Sequence, residues 1–277
     1  MKMSRKCLGM AIGVAVLGFT ASVQALSTNY SFEGSAWGSA DWTLLGSSSY
    51  ASDGALTPAH RLRLTANGTW ENGSAWLNTQ TISPVADWEV SLRGEVTFPF
   101  STGGDGLTVL LQTAGLGALP PMTGNFDPAT TNFGTYLAID LDSWQNAGDS
   151  YTNSLKVITS SGGGGIVGPQ LNITDGLERG DYFNLTVSYV SATHTLSATY
   201  DSDALAPVSG NWTVDMPAVF GSQQTTVGFI GQTGTAGENH DIMSTTLQAV
   251  PEPGTLAMFG AFGLSVYARR CIRRWRA

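Results

Sequence analysis

Residues 136–154, YLAIDLDSWQNAGDSYTNS, decide how the rest of the chain is read. The segment opens as a strand, Tyr136 to Asp142, in which alternation puts Leu137, Ile139 and Leu141 on one face. Ala138, Asp140 and Asp142 share the other face. Two carboxylates one residue apart on a face repel each other, and burying them unpaired is costly, so a cation between them is a natural resolution. The strand then runs into a polar loop with Asn146, Gly148 and Asp149. Hard cations draw their ligands from carboxylate, amide and backbone oxygens. Asp140, Asp142, Asn146 and Asp149 supply that chemistry within ten residues. The same residues also suit a strand end with a solvated Asp pair and an Asn/Asp turn, and local sequence leaves both readings open.

Outward from this segment the pattern is all β. Arg61–Thr65, Trp88–Phe98, Leu107–Gln112, Leu155–Thr159, Tyr182–Val190 and Thr195–Tyr200 are alternating or β-branched runs, separated by Gly, Asn, Asp and Ser clusters. No helical period of any length appears between residues 26 and 250. Strands this numerous predict a sandwich of two antiparallel sheets. The longest irregular pieces are 113–135 and the glycine run Gly162–Gly165.

Charge separates the body from its ends. Of 13 basic residues in 277, eight lie at the termini: Lys2, Arg5, Lys6, Arg269, Arg270, Arg273, Arg274 and Arg276. Residues 26–250 hold the other five, against 20 of the 21 acids. An acidic body without a basic patch argues against nucleic acid as a partner and tolerates divalent cations and neutral sugars. Both cysteines, Cys7 and Cys271, lie in the terminal segments, so the body has neither disulfide nor thiol chemistry. Its stability rests on a core, for which some 225 residues are ample.

Residues 1–25 read as a secretory signal: a basic start, an apolar run from Leu8 to Phe19, and small residues at Val23 and Ala25 for cleavage. At the other end Pro251, Glu252 and Pro253 precede an apolar stretch, 254–268, and the arginine cluster. The apolar stretch is short for a full membrane span, and the arginines suit a cytoplasmic end. This three-part tail, 251–277, resembles the PEP-CTERM sorting signal of Gram-negative bacteria. The resemblance implies transient insertion in the inner membrane through 254–268, recognition by an exosortase-type enzyme, cleavage near Pro-Glu-Pro, and delivery to the cell surface or extracellular matrix. An ordinary C-terminal membrane anchor is the alternative, and the body is exported under either.

Four passages of the body, in order, resemble the legume-type (L-type) lectins, particularly their bacterial relatives: GSAWLNTQTIS (73–83) leading into WEVSLRGEVTF, GGDGLTVLLQ (103–112), LAIDLDSWQN (137–146) and TVGFIGQTGTAGENHDIMSTTL (226–247). The family fold is a jelly-roll sandwich of the concanavalin A type. The resemblance implies a cis Gly104–Asp105 peptide, with Asp105 accepting hydrogen bonds from sugar hydroxyls. It implies that Asp142 and Asp149 bridge Ca²⁺ and a transition metal, with Asp140 as a transition-metal ligand where the family usually has Glu. Asn146 gives its side-chain oxygen and Trp144 its backbone carbonyl to Ca²⁺. Asn146 also offers its amide NH₂ to the sugar, and the Trp144 ring stacks on it. The loop 233–239, with Thr235, Ala236 and Gly237, corresponds to the one that sets sugar preference. The family's glycine-rich site loop falls somewhere within 113–135, with no residue assignable. His240 is expected to be structural.

The departures matter. Where the family has a metal-binding His this chain has Ser154, or Asn153 with a one-residue gap, and neither offers an imidazole. The resemblance therefore supports Ca²⁺ and argues against a second, Mn²⁺-type ion. The expected function is a non-catalytic, Ca²⁺-dependent carbohydrate-binding protein whose partners are glycans or exopolysaccharide. An oligomer is compatible with the sequence and not specified by it. A structural matrix or adhesion protein with a degenerate sugar site is the alternative. A glycoside hydrolase of the same fold needs two carboxylates flanking the scissile bond, and Gln145 stands where the hydrolase strand motif has its last acid.

Overall fold

The computed structural model describes residues 26–33, 39–52, 60–97, 104–120, 132–146, 149–161, 165–174, 177 and 179–249. The expected signal at 1–25 and the tail with its apolar stretch 254–268 lie outside them. Among the described residues no helix is long and apolar enough to cross a membrane.

Residues 27–249 form one compact unit. Its strands in chain order are β1 (Leu26–Ser31), β2 (Trp42–Gly46), β3 (Ser49–Ser52), β4 (His60–Ala66), β5 (Asn72–Ile82), β6 (Trp88–Thr97), β7 (Gly106–Gln112) and β8 (Tyr136–Asp142). They continue with β9 (Ser154–Thr159), β10 (Gly165–Ile166), β11 (Leu171–Asn172), β12 (Arg179–Val190), β13 (Thr195–Ser202), β14 (Val208–Thr213), β15 (Thr225–Gln232) and β16 (Asn239–Ala249). One sheet runs β14-β13-β12-β6-β16-β4-β3, with β1 also on β16. The other runs β10-β9-β8-β7-β15-β5-β2, with β11 also on β9. The pairings are antiparallel and join strands far apart in sequence, such as β15 with β5 and β7. This is the two-sheet antiparallel sandwich that the strand pattern predicts, in the jelly-roll form that the resemblance implies. Among the described residues one short α-helix interrupts the strands. It is α1 (Met216–Phe220), which Asp215 caps by accepting from the Ala218 N–H at 2.9 Å.

The two sheets differ in how their outer faces are covered. In β6 burial alternates, with Trp88, Val90, Leu92 and Val96 in the core between the sheets. In β8 every residue from Tyr136 to Asp142 is buried. Leu137, Ile139 and Leu141 face the main core, as their alternation requires. Tyr136 and Ala138 belong to a smaller apolar cluster on the opposite face, with Trp76, Leu110, Ala118, Phe133, Ile158 and Ile230. The segment 114–118 helps to close that cluster, since the Trp76 Nε1–H donates to the Ala118 carbonyl at 2.7 Å. Asp140 and Asp142 continue the same face at the far end of the strand, under the loop that follows. The fold thus carries its acidic pair inside.

The other sheet buries charge as well. Asp241 on β16 accepts from Arg63 at both oxygens, at 2.8 Å each, and from Arg61 at 2.9 Å. Arg61 also reaches Glu95 at 2.5 Å. Arg61 and Asp241 are almost fully enclosed. Removing one member of such a buried network leaves charge inside without its counterpart, at a cost of about 3–5 kcal/mol. Asp241→Ala is therefore expected to lower the unfolding free energy by about that much, measured by denaturant titration.

Candidate functional site

The site is built where β7 begins, β8 ends and the β15–β16 connection crosses between them. Gly104–Asp105 is a cis peptide bond. Gly106 follows at φ +134°, and a Cβ there would lie 2.3 Å from the Leu141 carbonyl oxygen, so only glycine lets β7 start this close to β8. The geometry sets Asp105 against Gly234 of the 233–239 loop: a Cβ on Gly234 would stand 2.6 Å from Asp105 Oδ2. Asp105 is 9% exposed, and its Oδ2 has no hydrogen-bonding partner among the described residues. Burial, then the charges of Glu238 and Asp140, push its pKa up to about 7.

Beneath Asp105 lies Glu238, a residue that sequence reading gives no role. Its carboxylate accepts from the Gly104 N–H at 3.1 Å, the Ser143 hydroxyl at 2.6 Å and His240 Nε2 at 2.5 Å. His240 Nδ1 meets Thr65 Oγ1 at 2.6 Å, and that hydroxyl donates to the Glu238 carbonyl at 2.7 Å. One buried side chain thus ties the start of β7, the end of β8 and the start of β16 together. His240 is enclosed in this network and does not face the acidic loop's donors.

The rim is aromatic. The Trp144 ring lies against Gly104, with its Cε3 3.3 Å from where a Cβ on that glycine would be. The ring is half-buried, and the Trp144 N–H donates to Asp142 Oδ1 at 3.0 Å. A second indole was not foreseen. Trp70 sits at φ +58° and is 45% exposed, and its N–H donates to the Gly234 carbonyl at 2.8 Å. The only sequence signal for it is an aromatic in a turn between Asn67-Gly68 and Asn72-Gly73, where no core needs one. Thr235, Ala236 and Gly237 follow in the same loop, with Gly237 close against the Asn67 and Gly68 carbonyls.

The expected metal donors gather around a side chain of the protein itself. Lys156, on β9 opposite Asp140, places its Nζ 2.5 Å from Asp142 Oδ2, 2.9 Å from Asp149 Oδ1 and 3.6 Å from Asp140 Oδ2. The ammonium is buried with Asp140 and Asp142. Burial works to lower the Lys156 pKa, but Asp140 and Asp142 outweigh it and raise it. Burial raises Asp140, and burial together with Asp140 raises Asp142. The Asn146 amide does not point its oxygen at a common centre with the Trp144 carbonyl. Its Nδ2–H donates to that carbonyl at 3.2 Å. Calcium takes six to eight oxygens at about 2.3–2.6 Å. Among the described residues no group of three His, Cys, Asp or Glu side chains is arranged to hold a metal. As they stand, Asp140, Asp142, Trp144, Asn146 and Asp149 do not fit the ion that the resemblance implies.

Comparison with solved structures assigns the fold. The seed lectin of Lotus tetragonolobus superposes with a TM-score of 0.65 at 18% identity, covering 82% of this chain and 100% of that one. The winged bean acidic lectin, complexed with methyl-α-D-galactose, gives 0.64 at 21%, covering 82% and 99%. The metal-free form of a Griffonia simplicifolia lectin gives 0.59 at 14%, covering 81% and 99%. The body therefore has the legume-lectin fold. Its tail is a PEP-CTERM protein-sorting motif, matched over residues 249–274. No curated protein matches the chain significantly by sequence.

The raised pKa of Asp105 has a consequence for stability. The folded state keeps the proton up to about pH 7, whereas the unfolded chain releases it near pH 4, so this group's contribution is lost as pH rises between those values. Asp105→Asn is expected to lose less stability than the wild type between pH 5 and pH 8, as read from denaturant midpoints at the two pH values.

Proposed function

We propose that the body is a non-catalytic carbohydrate-binding module, exported and then processed at its C-terminal tail. The observation that carries this is the Asp105 carboxylate. It is held at the start of β7 with its buried Oδ2 unpartnered, against Gly234 of the 233–239 loop and next to Gly104, on which the Trp144 ring lies. A carboxylate accepting sugar hydroxyls, which Asp105 offers in its ionised form above about pH 7, with aromatic faces for the apolar side of a pyranose, is the usual chemistry of a shallow glycan site. Asp105 accepts hydroxyls, Trp144 and Trp70 offer ring surface, and Asn146, Thr235, Ala236 and Gly237 border the ligand. The lectin neighbours support the assignment through their shared fold. The galactoside in the winged bean structure makes galactose-type sugars sensible first probes.

Fragment by fragment the chain supports the same route to the outside. An export signal at 1–25, transient anchoring through 254–268 and cleavage by an exosortase-type enzyme near Pro251, Glu252 and Pro253 release the body at the cell surface or into the matrix. No calcium step enters this reading, because the donor set does not fit the ion.

Two measurements test it. On a glycan array the protein is expected to bind a defined subset of neutral glycans. Asp105→Ala then weakens the best of them by about tenfold or more, the loss of a charge-assisted hydrogen bond, with a smaller loss for Trp70→Ala. A folded protein that binds no glycan would leave the matrix-spacer reading in its place. Separately, replacing Pro251, Glu252 and Pro253 by alanine is expected to keep the full-length form in the membrane fraction. The unaltered chain yields a shorter extracellular form, seen by intact mass.

A further inference from the structure

We propose that Lys156 is the resident cation of the acidic loop, so that the site of this protein is organised by a covalently attached ammonium and does not require a divalent metal. The inference stands apart from the carbohydrate reading, since it concerns what holds the loop.

The geometry points to it in three ways. First, the cross-strand register places Lys156 opposite Asp140 and Ser154 opposite Asp142. Positions 154 and 156 share a face of β9, the face of the two aspartates. From 156 the four-carbon stem reaches the strand end, where Asp149 returns in the loop. Second, each of the three carboxylates divides its oxygens in the same way. Asp140 takes the Thr108 hydroxyl on Oδ1 at 2.6 Å, Asp142 takes the Trp144 N–H on Oδ1 at 3.0 Å, and Asp149 takes the Asn146 N–H on Oδ2 at 2.9 Å. The other oxygen of each faces the ammonium, at 3.6, 2.5 and 2.9 Å respectively. The ammonium donates to Asp142 and Asp149 and stands within ion-pair range of Asp140. Third, the Trp144 carbonyl that a calcium ion would need already accepts from the Asn146 amide. A divalent ion in this place would sit against a fixed positive charge and would have to break those contacts.

The composition agrees. Lys156 is the only lysine between residues 26 and 250. Without it, three acids would be gathered about a strand end with no cation among the described residues close to them.

The test uses the purified full chain in mild detergent, with thermal melting and calorimetric titration of Ca²⁺ and Mn²⁺. For the wild type, excess chelator is expected to shift the midpoint by less than about 1 °C, and millimolar Ca²⁺ to give no saturable heat, because a ligand that does not bind does not stabilise. Lys156→Ala, melted in chelator, is expected to fall by about 5 °C or more. Ca²⁺ recovers part of that fall by entering the vacated space. Lys156→Met keeps the length without the charge. It is expected to be as unstable as Lys156→Ala in chelator, with less recovery. If Lys156→Ala does not fold, the wild-type arms still decide. Saturable Ca²⁺ binding by the wild type, with a midpoint that chelator lowers, would overturn the proposal. So would a Lys156→Ala protein that melts like the wild type in chelator, or one whose loss Ca²⁺ does not recover at all, which would reduce Lys156 to an ordinary ion-pair partner.

Discussion

Three carboxylates held at the end of an enclosed strand repel one another and lose their hydration, and they stay together only where positive charge is brought to them. The sandwich meets that requirement by reaching from β9 with Lys156, and much of the site depends on it. Asp142 is fixed against Trp144, Trp144 lies on Gly104, and Gly104 precedes Asp105. Asp149 is therefore held by an ion pair with Lys156 and Ser143 by Glu238, which receives Ser143 and Gly104 together. Two buried anchors, one cationic and one anionic, hold the two strands whose ends make the rim.

The main core is indifferent to this arrangement. Its residues come from both sheets, with Trp42 stacked on Phe229 at 5.5 Å and Trp88 on Tyr189 at 6.0 Å. Such packing supplies stability through apolar burial and aromatic contact. The outer face of the second sheet carries what is particular to this protein, divided along β8. At one end Tyr136 and Ala138 lie in an apolar cluster, and at the other Asp140 and Asp142 lie in a charged one.

The fold was readable from sequence because its signals are local. Alternation marks β6, β12 and β13 residue by residue, and the glycine and asparagine punctuation separates them. The acidic residues of the loop were equally plain, since they fall within ten positions. What held them was not, because Lys156 lies in SLKVIT, an apolar strand where a lone lysine looks like an ordinary outward-facing residue. Only the register of β9 on β8 brings it over the aspartates, and register is a property of two strands together. Glu238 was hidden for the same reason: its partners are at 104, 143 and 240, on three different strand ends. Residues 121–131, the middle of the 113–135 stretch in which a glycine-rich site loop is expected, and 147–148 of the acidic loop lie outside the described residues.

The two buried charge clusters also determine what the outside of the molecule presents. Arg61, Arg63 and Lys156 are three of the five basic side chains between residues 26 and 250, and all three are spent on internal aspartates. Arg93 is stacked over Tyr182 at 4.8 Å, and acids outnumber basic residues between 26 and 250 by 20 to five. The body thus meets its surroundings as a polyanion. Polymers rich in uronate, sulfate or phosphate are held off by long-range repulsion, which weakens as salt rises. Uncharged sugars meet no such repulsion.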